Sequence, residues 1–276
     1  MMSDAWNTAI KYFVLAIGAA VSVYPLVYML IVSFKPMTLL FEFPPKLSWS
    51  ELSWVNYETA WQSQHFARYL VNSLLVTLAS FSLIFLLSAC MAFSLSRFAF
   101  AGKSFVFAVL MSGLVIPSFT LIIPQFLLIR DLGLFDSMWA LIFVYAAGAI
   151  PFTTLLLKGF FDSISREIDE SVRIDGGTSW TLFSGFVLPL SKPVFVPAAI
   201  FNAITIWEEF PWALTVINDP LKRTLPIALA NFQGQYTTQW GVVFAGSLIS
   251  VVPIILLFLV LQRYFIAGIT AGALKG

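Results

Sequence analysis

Long charge-free apolar runs recur along the chain, and no other feature limits its fold so strongly. Five are clear: between Lys11 and Lys35, Arg68 and Arg97, Lys103 and Arg130, Asp136 and Lys158, and Arg223 and Arg263. An uncompensated charge at mid-bilayer costs about 2.5–3.5 kcal/mol, so charge-free runs of this length mark membrane crossings. The last run is too long for one crossing, and the polar stretch Asn231 to Gln239 sets its helix to begin near Trp240. A sixth run, Lys192 to Asn218, is equally apolar except for Glu208 and Glu209. The expected fold is an all-α membrane protein, a single domain with six transmembrane helices at 12–34, 69–96, 104–129, 137–158, 193–217 and 240–262.

Composition agrees. Charged residues make up 11% of the 276 positions, against about 25% in a soluble domain. The formal charge of +1 gives no reason to expect nucleic acid. One cysteine, Cys90, and one histidine, His65, exclude an intramolecular disulfide, a cysteine-built zinc site and any multi-histidine cluster. Gly102-Lys103-Ser104 resembles the end of a phosphate loop, but the earlier glycine falls at Arg97, so the chain is not expected to bind ATP itself. No H-E-x-x-H, G-x-S-x-G or G-x-G-x-x-G occurs, so the reading is non-enzymatic, without catalytic residue, bound cofactor or metal. Gly268 to Gly272 fits G-x-x-x-G but follows the last apolar run and is given no dimerisation role.

Six crossings put both termini on one side. With the N-terminus inside, the inner set of basic residues is Lys11, Arg97, Lys103, Lys158, Arg166, Arg173, Lys192, Arg263 and Lys275, the larger share of the 15. The first run has Pro25 within it and no small-residue cleavage site before Lys35-Pro36, so it reads as a retained helix. Trp49, Trp54, Trp61 and Trp139 fall at the outer ends as interfacial anchors. Prolines at 25, 117, 124, 151, 197, 211 and 253 lie in or near the crossings, as in bundles that line a pathway.

Between the fourth and fifth crossings lies the longest charge-dense inner segment, 161–191. Ile164, Ile168 and Val172 share one helical face, Arg166, Glu167, Asp169, Glu170 and Arg173 take the others, and Asp162 or Ser163 can cap the start. Gly176-Gly177 ends that helix, and Thr178 can cap a second bearing Trp180, Leu182 and Phe183. From Asp162 to Asp175 five acids face two arginines. An anionic inner leaflet attracts basic helices, so a protein partner is the better host for this one.

These residues resemble a known family. Glu170-Ser171-Val172-x-x-Asp175-Gly176 with Phe186-x-Leu188-Pro189 is similar to the loop signature of permease subunits of binding-protein-dependent ABC importers, though the family has two alanines at Ser171 and Val172. Asn72-Ser73-Leu74, Arg97-Phe98, Gly102-Lys103, Leu132-Gly133-Leu134, Thr224-Leu225-Pro226, Phe232-Gln233-Gly234-Gln235, Leu261-Gln262-Arg263-Tyr264-Phe265 and Thr270-Ala271-Gly272 resemble its carbohydrate-uptake class, in the maltose-type second permease subunit. The resemblance covers residue 70 to the end. It implies a multi-pass protein of the bacterial inner membrane, a homologous second permease forming a heterodimer, an extracytoplasmic solute-binding protein, and two partner ATPase subunits that hold ATP and Mg. It also implies that the loop forms coupling helices docked on an ATPase, with Glu167, Glu170, Ser171, Arg173, Asp175, Gly176 and Gly177 as contact residues. A tail at 268–276, with Gly272 and Lys275, would reach the interface between the ATPases.

Glu208 and Glu209 lie where the family has Trp-Asn-Asp/Glu-Phe. An intramembrane carboxylate faces a cavity or the bundle interior by default, and adjacent helical residues point about 100° apart, so the two occupy different environments. Asn202, Trp207, Glu208, Glu209 and Trp212 are the candidate solute-pathway residues. One glutamate would accept hydroxyl hydrogen bonds while tryptophans stack on sugar faces. A sugar or oligosaccharide is the expected solute. Glycerol phosphate or a compatible osmolyte such as a glycosylated polyol is the alternative, weakened by arginines only near span ends. An ion-coupled secondary carrier would need more intramembrane ion-binding groups and a repeat between halves.

Overall fold

A computed structural model describes residues 2–35, 52–63, 65–233 and 238–273. Trp49, Gly234, Gln235 and Lys275 lie outside the described residues. Apart from the bridge Gln233↔Thr238, the regular structure is helical. The chain divides into two compact units, Met1–Ala67 with Ala228–Val252, and Arg68–Ile227 with Pro253–Gly276.

In the first unit, α1 (Met2–Ser33) is apolar on all sides, with Tyr12, Val21, Tyr24 and Leu26 all more than half exposed. A helix apolar all round is a membrane span. Its end is held by α2 (Val55–Gln62): Asn56 Nδ2 donates to Ser33 O at 2.9 Å and Lys35 O at 2.8 Å, and Ser33 Oγ bonds Tyr57 Oη at 2.8 Å. Trp54 is 64% exposed, with its ring edge-on to that of Phe34.

The second unit carries most of α3 (Phe66–Arg97), then α4 (Lys103–Ser112), a 3₁₀ turn (Ser118–Leu121), α5 (Ile122–Asp131) and α6 (Met138–Ser163). The expected third crossing, 104–129, is therefore not one helix. Ten residues rise about 15 Å, half the hydrocarbon thickness. The cause is local: Gly113, Leu114 and Val115 fall into i−3 hydrogen bonds, and Pro117 supplies no donor and biases Ile116 away from helix.

After α6 come α7 (Arg166–Ile174), α8 (Ser179–Leu182), a π-helical turn (Phe183–Val187), α9 (Leu188–Leu190) and α10 (Lys192–Trp207), with a 73° bend between Ser179–Leu190 and α10 at Ser191. The expected fifth crossing, 193–217, is also interrupted. Helix α10 stops at Trp207 and α11 (Pro211–Val216) restarts the chain, because Pro211 cannot donate into the preceding turn. Then follow α12 (Leu225–Asn231) and α13 (Trp240–Ala273). Helix α13 runs through Gly268 and Gly272, where the sequence suggested a separate tail. The segment has no proline after Pro253, and glycine costs only about 1 kcal/mol in a helix.

Four helices are each long and apolar enough to cross a membrane: Ile10–Ser33, Phe66–Arg97, Met138–Ser163 and Trp240–Gln262. The bent pair that joins Ser179–Leu190 to α10 is long and apolar enough to make a fifth if its two arms are one span.

Two apolar cores organise the second unit. One joins Val76 and Ile84 of α3, Leu141 and Ile142 of α6, and Trp212 and Val216 of α11. The other joins Ala92 and Phe93 of α3, Leu157 and Phe161 of α6, Val172 of α7, and Phe183 and Val187. The first packs near the start of α6, the second at its far end, where α7 sits.

Candidate functional site

Helix α7 begins at Ser165, whose hydroxyl accepts from Glu167 N, so the cap lies beyond Asp162 and Ser163, which finish α6. Those two are already helical, and Asp162 is engaged elsewhere: Oδ1 accepts from Ser96 Oγ at 2.6 Å and Oδ2 pairs with Lys158 at 2.6 Å. The expected apolar face turns inward, with Val172 buried and Ile164 and Ile168 half-buried. Gly176, at φ +76°, stops the helix in the left-handed conformation that glycine adopts without steric cost. Thr178 and Thr181 then form a reciprocal capping pair that starts α8.

A buried charge holds α7 in place. Arg97 Nε, at the end of α3, lies 3.1 Å from Asp169 Oδ2, and Arg166 donates to Ser96 O at 2.8 Å. Asp169 is 6% exposed, so of the acids counted in this segment it faces inward, and Asp162 is paired with Lys158. Glu167, Glu170, Ser171, Arg173, Asp175 and Gly176 are exposed, and Gly177 is half-buried. Beside them Ile174 is 85% and Trp180 68% exposed. The outer surface of α7 and α8 is thus acidic with two large apolar side chains, fixed by its inner surface to α3 and α6.

The second place of interest is the break between α10 and α11, Glu208 to Phe210. Glu209 Oε1 accepts from Trp212 N at 2.7 Å; Oε2 accepts from Ala213 N at 3.1 Å and from Tyr145 Oη. The carboxylate therefore satisfies the first free amides of α11 and ties the break to α6. Glu208 is exposed, and its side chain makes no hydrogen bond or ion pair among the described residues. The two glutamates do occupy different environments.

Glu209 lies on a cavity of about 390 Å³, which also takes in Gln125, Tyr145, Asn202 and Trp212. Asn202 is 2% exposed and donates to Thr153 Oγ1 at 2.9 Å. Trp212 is 4% exposed and its Nε1 donates to Ala140 O, so it supports the wall and offers little face for stacking. Trp207 is buried outside the cavity. Phe119, Phe152 and Phe201 also line the cavity. Tyr145 and Gln125 carried no sequence signal as single polar residues in apolar runs. Glu209 itself was the available hint, since a carboxylate there demands donors.

At the start of α6, motifs that lie far apart in sequence meet. Asn72 Nδ2 donates to Leu221 O at 3.0 Å and Arg223 O at 2.9 Å, and Ser73 Oγ accepts from Leu225 N at 2.8 Å. Asp136, at φ +55°, accepts from Asn218 N and Asp219 N, and Lys222 Nζ donates to its carbonyl. Asp219 accepts from Leu221 N, and this bond, with Lys222 alongside, holds its carboxyl below the usual range.

The comparisons agree with this architecture. Residues 12–270 match the family described as binding-protein-dependent transport system inner membrane component. A probable ABC transporter permease protein, YurM of Bacillus subtilis (strain 168), is 40% identical over 256 residues, 92% of this chain and 84% of that protein. The diacetylchitobiose uptake system permease protein NgcG of Streptomyces coelicolor (strain ATCC BAA-471 / A3(2) / M145) is 31% identical over 275 residues, 99% of this chain and 91% of that one. Among solved structures, a chain of a bacterial ABC transporter involved in import of the acidic polysaccharide alginate superposes with a TM-score of 0.83 at 21% identity, covering 96% of this chain and 98% of that chain. With apolar crossings, a charged loop welded to their ends and a family match across nearly the whole length, this chain belongs to the inner membrane components of binding-protein-dependent transport systems.

Proposed function

We propose that the chain is the non-catalytic permease subunit of an ABC importer for a sugar or oligosaccharide. A binding protein outside the membrane delivers the solute, a homologous permease completes the pathway, and two separate ATPase subunits supply ATP hydrolysis with Mg. The chain crosses the inner membrane six times with both termini inside, the third and fifth crossings being the interrupted ones. Relatives named for diacetylchitobiose and for trehalose/maltose uptake support the solute class.

The observation that carries this reading is the two-sided construction of α7. Its inner face is fixed through Arg97, Asp169 and Val172, while Glu170, Arg173, Ile174 and Asp175 face outward. Charged and apolar groups together on a rigid surface suit a protein partner. A force applied there passes to α3 and α6 without being lost in loop motion. ATP shifts the transporter because it binds the closed ATPase pair more tightly than the open one, and α7 is the contact through which that difference reaches the pathway. Gly272 and Lys275 form a second contact with the ATPases.

The test uses the assembled importer. Cysteines placed singly at Glu170, Arg173 and Ile174, in a chain with Cys90 replaced by serine, are cross-linked to ATPase subunits carrying one surface cysteine. Nucleotide-sensitive cross-links together with ATP-dependent saccharide uptake are expected. Uptake that persists without the ATPase subunits overturns the reading.

A further inference from the structure

The cavity beside Glu209 is lined by two interrupted crossings and by α6, and is open on one side. Ser118, Phe119 and Gln125 come from the broken third crossing, and Asn202, Glu209 and Pro211 from the broken fifth, with Tyr145 and Phe152 of α6 between them. Irregular backbone at membrane depth persists where it lines a cavity or lies buried in protein, and transporter sites form between discontinuous helices. Tyr145 stands about 10 Å along α6 from its start, so the cavity lies inside the apolar length and not at its rim. Its 390 Å³ falls within the roughly 300–1,000 Å³ common for small-molecule sites.

The lining is chemically selective. Phe152 and Phe201 stand 4.9 Å apart and, with Phe119, present aromatic faces of the kind that pack on the C–H faces of a pyranose. Gln125 is half-buried, and its side chain makes no hydrogen bond among the described residues, leaving two donors and an acceptor. Glu209 Oε1 takes a single donor, Trp212 N, and keeps room for a hydroxyl. Lysine, arginine and histidine are absent from the lining residues, so Glu209 is its only ionisable carboxyl and has no counter-cation there.

We infer that this cavity is a saccharide subsite that admits neutral sugar units and rejects acidic ones, with Glu209 setting the preference and Gln125 reading the sugar hydroxyls. The inference rests on the importer reading above and names the solute charge that reading takes. A uronate or phosphate group brought beside Glu209 meets a like charge in a low-dielectric wall, worth more than a factor of ten at contact distance. A hydroxyl instead donates to Oε1 and keeps the carboxylate paired. A lipid acyl chain would cover the phenylalanines but leave Glu209 and Gln125 without solute partners, at a polar desolvation cost.

The test measures direct binding to the assembled importer in nanodiscs, without its binding protein, by saturation-transfer NMR with diacetylchitobiose as neutral probe and digalacturonate as acidic probe. The expected result is a preference for the neutral probe of about tenfold or more. Gln125→Lys should narrow that ratio by about tenfold and Gln125→Glu should widen it. These variants remove no hydrogen bond made in the structure, unlike Glu209→Gln, which disturbs the start of α11. Equal binding of both probes, a ratio unmoved by Gln125→Lys, or a copurified lipid that blocks both probes overturns the subsite. ATP-dependent saccharide uptake in matched proteoliposomes separates the two failures: uptake that persists with an unmoved ratio sinks the subsite alone, whereas uptake independent of the ATPases sinks the importer reading.

Discussion

Arg97 and Asp169, 72 positions apart, form an ion pair of 3.1 Å with side chains only 2% and 8% exposed. Breaking such a pair from one side leaves an uncompensated buried charge, which costs about 3–5 kcal/mol, whereas replacing both partners with apolar groups is often nearly neutral. Arg97→Met and Asp169→Leu should each lower the thermal stability of the purified chain strongly, and the double variant should recover most of the loss. If the double variant is as unstable as the worse single one, the pair is not the tie described. In the assembled importer the double variant adds a second measurement. It should restore folding but loosen α7 from α3, so ATP hydrolysis should continue with less transport per ATP.

Glu208 and Glu209 separate cleanly in what they should do when replaced. Glu209→Ala removes the acceptor for Trp212 N, Ala213 N and Tyr145 Oη. Hydrogen bonds to charged groups contribute about 1.5–3 kcal/mol each, and they are not additive. Amide exchange at 212 and 213 should therefore accelerate markedly. Tyr145→Phe deletes one of the three donors and should show a smaller effect confined to the α6 side. Glu208→Ala, at an exposed side chain, should stay within about 0.5 kcal/mol of the parent. Equal sensitivity at both glutamates would contradict the assignment of one as cap and the other as surface.

Asn72 and Ser73 make a third case, because they hold a loop that follows some 150 residues later. Asn72→Ala strands the Arg223 carbonyl and leaves Leu221 O to Arg68 Nε alone, and Ser73→Ala strands Leu225 N. Each should cost about 1–3 kcal/mol, as for a buried group left unpaired. The measurement is hydrogen exchange or limited proteolysis between Leu221 and Leu225, expected to increase in both variants while α7 stays protected. Loss of protection throughout the chain would mean that these bonds hold more than the loop.

Much of α7 was legible in the sequence because its information is local. The spacing of Ile164, Ile168 and Val172, the stop at Gly176-Gly177 and the cap at Thr178 all lie within one segment, and the structure has each of them. The long apolar helices were legible for the same reason. The interruptions were not, because a proline in an apolar run has two outcomes. Pro25, Pro151, Pro197 and Pro253 stay inside continuous helices, whereas Pro117 and Pro211 stand at breaks. The freed carbonyl is the same in both, and what differs is whether neighbouring groups can satisfy it. At the α10–α11 break the free groups are amides, which Glu209 accepts, and its further donor Tyr145 comes from α6, distant in sequence. Arg97 was expected near the end of the second crossing, yet nothing in its surroundings pointed to Asp169. The burial of Trp207 and Trp212 is likewise set by tertiary packing, with Trp212 Nε1 bonded to Ala140 O of α6, and not by local pattern.

The turn after α7 offers the sharpest test of the proposed ATPase contact, since its two glycines are constrained for different reasons. Gly176 has φ +76° with nothing within 4 Å of an added Cβ, so Gly176→Ala meets only backbone strain of about 1–2 kcal/mol, and Gly176→Asn should cost less. At Gly177 an added Cβ would come within 2.6 Å of Val172 Cγ1 and 2.8 Å of Val172 O. The second contact is with backbone and cannot be relieved by rotating a side chain. Gly177→Ala must therefore displace the end of α7 relative to α8, where Gly176→Asn need not. In the assembled importer, Gly176→Asn should keep most transport, while Gly177→Ala should lower transport far more than it lowers basal ATP hydrolysis, because Arg173, Ile174 and Asp175, which we propose contact the ATPase, lie immediately before the turn. Parallel loss of both activities in Gly177→Ala would point instead to a failure of assembly, and size-exclusion chromatography of the complex tells the two apart.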